Sequence, residues 1–438
     1  MTHLTELGLT QAWNLLKQGE ISSVDLVQAC LAQIDSLDPG LQAWRWVDHE
    51  GALSQARLAD DARRQGQLQG ELHGLPVGVK DIIDTASGTT EYGSPLYAGH
   101  MSRADAGCVS RARRSGAIVL GKTHTTEFAY FRPAPTHNPA APGHTPGGSS
   151  SGSAAAVAAH MVPAAFGTQT AASVIRPAAF CGVVGYKSSW GAFSLAGIKP
   201  FAHSLDSLGF LARQVEDVQR LRSALLWTTP NPAHNSTPPE ADPRVLRILL
   251  CQGPHWDQTQ ADSQQALHWA ASALSAAGAQ VQEVALAAHF QDLTQAQKII
   301  MAYEAAQSLS SEFHHHRSQL SPQICELIES GLNTPWSVYQ QAQDLAHRCR
   351  QEFSRWLPPG HVVLTPSALG AAPKGLQATG DPLLSRMWTL LHVPSISLPG
   401  YRNLQGHPVG IQLVGAWGQD EELLRLSASV EAVLRASP

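Results

Sequence analysis

Gly147-Gly148-Ser149-Ser150-Ser151-Gly152-Ser153-Ala154, preceded by His144-Thr145-Pro146 and followed by Gly167-Thr168-Gln169-Thr170-Ala171-Ala172-Ser173-Val174-Ile175-Arg176-Pro177, is the stretch around which this chain is organised. Two loops of glycines and hydroxyls flank an Ala/Val-rich segment, Ala154 to Ala159, whose composition predicts a short buried helix. No other part of the chain gathers small and hydroxylated residues this densely.

Two familiar site types match the first loop in part, and both fail. Gly147 and Gly152 have the spacing of a phosphate-cradling loop, but Ser153 stands where that loop carries its lysine, so the neutralising charge is missing. Gly148-Ser149-Ser150-Ser151-Gly152 also fits Gly-x-Ser-x-Gly, a turn that needs a strand directly before it. Pro139, Pro142, Gly143 and Pro146 occupy that place and exclude a central strand.

A serine–lysine arrangement remains. Lys80, one of seven lysines, ends the apolar run Leu75-Pro76-Val77-Gly78-Val79, where loss of water lowers an amine's pKa toward the neutral form. A neutral lysine is a base, and serine hydroxyls become nucleophiles only when a base takes their proton. Ser149 and Ser173 lie on the two loops that can converge on such a lysine, and Thr170-Ala171-Ala172-Ser173 offers consecutive N–H groups for an oxyanion hole. For any of these residues alone the plainer reading is structural: Lys80 paired with Asp81 or Asp84, and the serines as turn formers.

Together the motifs resemble those of the amidase signature family. The resemblance rests on Gly147 to Ala154, the 24-residue step from Ser149 to Ser173, and Pro177-Ala178-x-x-Cys181-Gly182-Val183-x-Gly185-x-Lys187. Three outlying elements are similar in kind: Gly74-Leu75-Pro76-Val77-x-Val79-Lys80-Asp81, Gly121-Lys122-Thr123-x-x-x-Glu127-Phe128 and Gly410-Ile411-Gln412-Leu413-Val414-Gly415. It implies one α/β domain over 1–438, with a large twisted mixed β-sheet flanked by helices on both faces and a signature core at about 70–215. It further implies hydrolysis of a carboxylic amide through an acyl-enzyme, with Ser173 as nucleophile, Ser149 as bridging serine and Lys80 as base. Thr170, Ala171, Ala172 and Ser173 would hold the oxyanion, a cis peptide would precede Ser149, and no cofactor or metal is called for. Tyr130, Arg386 and Trp388 fall in segments that, by the same resemblance, border the substrate pocket.

The match has departures. The family's run Gly-Thr-Asp-Thr-Gly-Gly-Ser here has Gln169 for the acid and Ala171-Ala172 for the two glycines, and the arginine expected two places after the nucleophile comes one later, as Arg176. Alanine keeps an N–H, so the oxyanion hole survives unless the loop demands positive φ there. Three functions compete on these residues: a free-standing amide hydrolase, the glutaminase subunit of a tRNA-dependent amidotransferase with obligate partner subunits, and a non-catalytic binding protein. The altered loop argues against the second, and the same loop, Ala172 above all, is the one hint of the third.

The rest of the chain bounds these readings. Its 438 residues carry a net charge of −5 and are 43% apolar, with no basic run, which excludes a nucleic-acid footprint or a polybasic membrane patch and favours a small-molecule partner. No apolar stretch has spanning length, and six scattered cysteines without a Cys-x-x-Cys pair suit reduced thiols in a cytoplasmic protein; a homodimer is left open. Ser22-x-x-Asp25 predicts a capped helix whose buried face is Val24, Val27, Leu31, Ile34 and Leu37. Helices are expected near 9–17, 52–64, 107–114, 215–226, 263–277, 293–311, 324–331, 336–356 and 420–436. Strands are expected near 75–81, 117–120, 245–250, 281–286, 361–366, 395–399 and 409–414, with a linker-like tract at 228–243. His314-His315-His316 lacks a His-Glu-x-x-His pattern and reads as a solvated helix face, not a metal site.

Overall fold

The computed structural model describes residues 3–226 and 242–437. The linker-like tract therefore lies outside the described residues except for Asp242 and Pro243, which open a short helical turn. Among the described residues eleven strands form one sheet: β1 (Trp44–Val47), β2 (Pro76–Lys80), β3 (Ile118–Thr123), β4 (Ala164–Gln169), β5 (Val184–Lys187), β6 (Ser207–Ala212), β7 (Arg247–Cys251), β8 (Gln280–Val284), β9 (His361–Pro366), β10 (Ser395–Arg402) and β11 (Pro408–Val414). Their spatial order is β1-β3-β2-β4-β6-β5-β10-β11-β9-β7-β8. The sheet is mixed: β3, β2 and β4 run parallel, as do β9, β7 and β8, while antiparallel pairs join these two groups through β6, β5, β10 and β11.

Central strands buried on both faces read as continuous small or apolar runs. Every residue of β2, β3, β4, β5, β6 and β11 is buried. Successive side chains point to opposite faces, and the core divides accordingly: Ala164, Phe166, Phe210 and Ala212 join one cluster, Ala165 and Leu211 the other. The second cluster is closed by the Ser23–Leu41 and Ser151–Ala158 helices, through residues such as Val27, Ile34, Ala154 and Val157.

Local expectations hold where the chemistry is local. Ser22 and Asp25 form a reciprocal capping box at the head of the Ser23–Leu41 helix. Three expectations need correction. Leu37 is 37% exposed and Val24 half-buried, because the face of that helix turned to the core runs through Leu26, Val27, Cys30, Leu31 and Ile34. The Ala/Val helix begins at Ser151, so the serine loop is shorter than its composition suggests. Gly167 to Gln169 is the end of β4 and Ile175 to Pro177 the start of a helix, leaving only residues 170–174 as loop. His314, His315 and His316 are exposed on the Ser310–His316 helix, and among the described residues no group of three His, Cys, Asp or Glu converges as a metal site.

Candidate active site

Parallel pairing of β2 with β4 brings the C-terminal ends of both strands to one place: Val79 is in register with Phe166, so Lys80 emerges beside the last residues of β4. The Lys80 side chain is fully buried, and its Nζ lies 2.7 Å from Ser149 Oγ, 2.8 Å from Thr168 Oγ1 and 3.3 Å from the Thr168 carbonyl. Burial holds its pKa well below the usual lysine range, with nearby Asp206 opposing that shift. A neutral amine has two N–H donors and one lone pair, and the carbonyl can only accept. A protonated Nζ donates all three contacts, whereas in the neutral form one of the two hydroxyls donates to Nζ, which is the arrangement a base requires.

Asp81, the adjacent residue, pairs with Lys122 at 3.1 Å, and Asp84 accepts from the Tyr92 hydroxyl at 2.8 Å. The reading in which Lys80 pairs with either acid is thereby replaced. Alternation along the chain sends Lys80 and Asp81 to different surroundings.

The peptide between Gly148 and Ser149 is cis. Arg176 Nη2 donates to the Gly148 carbonyl at 2.7 Å and to Thr379 Oγ1 at 3.1 Å, while Nη1 donates to the Gly380 carbonyl at 2.7 Å. The guanidinium that comes one place late in sequence thus braces the peptide that carries Ser149. Burial lowers its pKa to about 9, and Arg386 pushes in the same direction. The two loops are joined directly where Ser150 N–H donates to the Ser173 carbonyl at 3.2 Å. Glycine at 147 is needed twice over: its φ is +80°, and a Cβ there would lie 2.9 Å from Pro177 Cα.

The departures around Ser173 form a consistent set. Gln169 Oε1 accepts from Val174 N–H at 2.9 Å and Ile175 N–H at 3.1 Å, the backbone donors at the start of the Ile175–Cys181 helix. Where a carboxylate would present a second oxygen, Gln169 presents an amide that donates to Thr389 Oγ1 at 3.1 Å, and Thr389 in turn donates to the Ala171 carbonyl at 2.8 Å. Neither Ala171 nor Ala172 is among the residues with positive φ, so neither replacement of glycine is strained. Thr170 Oγ1 donates to Asp206 at 2.6 Å, and the same half-buried residue's carboxylate accepts from Phe201 and Ala202 N–H. Burial raises the Asp206 pKa to about 6.

Ser149, Thr170, Ala171, Ala172, Ser173 and Arg176 line a cleft together with Tyr130, Phe201 and Met301. Tyr130 stacks on Phe201 with ring centroids 5.5 Å apart. It is delivered there by two left-handed residues, Phe128 (φ 46°) and Ala129 (φ 61°), a conformation that costs free energy and needs support. The support comes from buried Glu127 beside them, which accepts from Ser94 Oγ at 3.1 Å and Ser321 N–H at 3.2 Å. Of the three residues expected at the pocket, Tyr130 is in this cleft. Trp388 instead lines a second cleft with His255, Thr365 and Met387, and packs edge-on against Phe353. Arg386 lines neither, and its Nη1 donates to Gln297.

Sequence reasoning does not single out Thr168, Asp206, Gln297 or Thr389. Recognising β4 as a strand parallel to β2 would place Thr168 beside Lys80. Gln297 and Thr389 sit on ordinary helix faces with no local signal.

The amidase family model matches residues 25–424. The chain is 32% identical to a glutamyl-tRNA(Gln) amidotransferase subunit of Roseiflexus castenholzii (strain DSM 13941 / HLO8), covering 99% of this chain and 97% of that one. Among solved structures it superposes on a chain of a vestigial protein complex tied to the origins of an s-triazine catabolic enzyme, with TM-score 0.88, 27% identity and coverage of 97% and 98%. It also superposes on a peptide amidase bound to the competitive inhibitor chymostatin, with TM-score 0.84, 30% identity and coverage of 99% and 98%.

Proposed function

This chain belongs to the amidase family, and from that premise we propose that it hydrolyses the C–N bond of a carboxylic amide through a Ser173–Ser149–Lys80 relay. The observation that carries the reading is the 2.7 Å contact between Lys80 Nζ and Ser149 Oγ, at a cleft that Ser173 also lines. Ser173 Oγ attacks the amide carbonyl as its proton passes to Ser149 and that of Ser149 passes to Lys80 Nζ. The carbonyl oxygen becomes an oxyanion facing the backbone of residues 170–173, where N–H groups stabilise developing charge more than they stabilise the neutral carbonyl. Collapse expels the amine, which recovers a proton through the same relay. Water then attacks the Ser173 ester, releasing the acid and regenerating the hydroxyl.

Two amide classes compete. The name of the Roseiflexus relative favours glutamine as the amide and a role within a multi-subunit amidotransferase. The likeness to the peptide amidase supports a free-standing hydrolase. Buried free thiols at Cys30, Cys108, Cys181, Cys251 and Cys349 support a reducing, cytoplasmic setting. A sheet that continues on both sides of residues 227–241 supports a single domain over 1–438.

The test is release of ammonia or amine from acetamide, benzamide, an amino-acid amide and glutamine by the purified chain. Turnover of simple amides supports the free-standing hydrolase, and turnover confined to glutamine supports the amidotransferase reading. No turnover and no acylation of Ser173 by the chain alone would overturn the free-standing hydrolase, leaving a subunit that needs its partners or a binding protein.

A further inference from the structure

We propose that Gln297 and Arg386 are positioning residues for the oxyanion hole, forming a brace from two distant helices that aims the Ala171 N–H at the reacting carbonyl. In a planar trans peptide the carbonyl and the following N–H point in opposite directions, so whatever pins one aims the other. The loop before Ser173 is pinned at three successive carbonyls. The Ala172 carbonyl accepts from Arg176 N–H at 3.0 Å, which aims the Ser173 N–H. Ala171 O accepts from Thr389 Oγ1 at 2.8 Å, which aims the Ala172 N–H. The Thr170 carbonyl accepts from Gln297 Nε2 at 3.1 Å, which aims the Ala171 N–H. The first pin is local helix geometry, and the other two come from far along the chain.

Gln297 is fully buried on the Leu293–Ser308 helix. Its Oε1 accepts from Arg386 Nη1, on the Leu383–Leu390 helix. An amide whose oxygen accepts from a guanidinium is polarised, and its N–H donates more strongly at the other end. Arg386, 5% exposed, thus acts on the loop through Gln297 without lining the cleft. A reversed amide would set the Gln297 oxygen against the Thr170 carbonyl and its N–H against the guanidinium, so Arg386 also fixes which way Gln297 faces.

This brace rests on the hydrolase reading, and the experiment separates the two. Gln297→Glu keeps an acceptor for Arg386 but removes the donor to Thr170, while Gln297→Met removes both. The readouts are the acylation burst with p-nitrophenyl acetate, kcat and KM on the best amide of the panel, and Tm. With the fold retained, both variants should acylate about tenfold more slowly, and kcat should fall equally with KM unchanged, since the oxyanion forms only in the transition state. Arg386→Lys keeps the charge but loses the planar fork, and should show a smaller fall of the same kind. It carries the test if both Gln297 variants unfold. A folded variant that acylates within twofold of wild type, or loses activity through KM alone, overturns the brace. A wild-type chain with neither burst nor amide turnover overturns the hydrolase reading beneath it.

Discussion

Lys80 and Ser149, 69 positions apart, meet through a 2.7 Å contact at a strand end closed to water. Burial lowers the Lys80 pKa and so favours the neutral amine that the proposed relay needs, a form lost as pH falls through that lowered pKa. Amide turnover should therefore rise with pH along an acid limb. Lys80→Ala should lose about 10²–10⁴-fold in kcat together with that limb, which a pH–rate profile of both proteins checks. A variant that keeps the limb would put the base elsewhere.

Ser173→Ala removes only a hydroxyl, while the Ser173 carbonyl that receives the Ser150 N–H stays in place. Acylation should disappear, with stability within about 0.5 kcal/mol of wild type. Mass spectrometry after incubation with p-nitrophenyl acetate should find an acetyl adduct on the wild type and none on the variant.

Ala172→Gly tests whether this loop tolerates its alanines or is adapted to them. Since Ala172 does not adopt positive φ, glycine relieves no strain and only adds freedom to the unfolded chain. We expect stability lower by about 0.5–1 kcal/mol and kcat unchanged or reduced. Denaturation curves with steady-state kinetics decide, and a rise in kcat at constant KM would mean the alanine misplaces its N–H.

Lys122→Met should destabilise the fold by about 3–5 kcal/mol, because it leaves Asp81 buried without its cation. Lys122 Nζ also serves the Ile83 carbonyl at 2.7 Å and Thr90 Oγ1 at 2.6 Å. The double variant Lys122→Met, Asp81→Leu should recover part of the loss, since no charge is then stranded. Thermal melts of the single and double variants measure the difference.

By itself the sequence determined whatever rests on short-range spacing. The capping box of Ser22 and Asp25, the buried run ending at Lys80, and the two serine loops with their family resemblance are all legible in it. Beyond that, the tertiary structure decided. β4 gives only a weak strand signal because Ala-Ala-Phe-Gly-Thr-Gln sets Phe166 and one β-branched residue, Thr168, among alanines and a glycine, and it is a strand because β2 and β6 supply its hydrogen bonds on either side. Whether Lys80 pairs with Asp81 or with Ser149 is undecidable from adjacency. The answer depends on which neighbour each side chain meets across the sheet: Lys122 for the acid, and the serine loop for the amine. Trp388 turns to a different cleft, and Gln297 reaches Thr170 across 127 positions, for the same reason. Local spacing tells which residues share a face, but what that face meets is settled only when distant segments pack and each buried polar group takes the partner left within its reach.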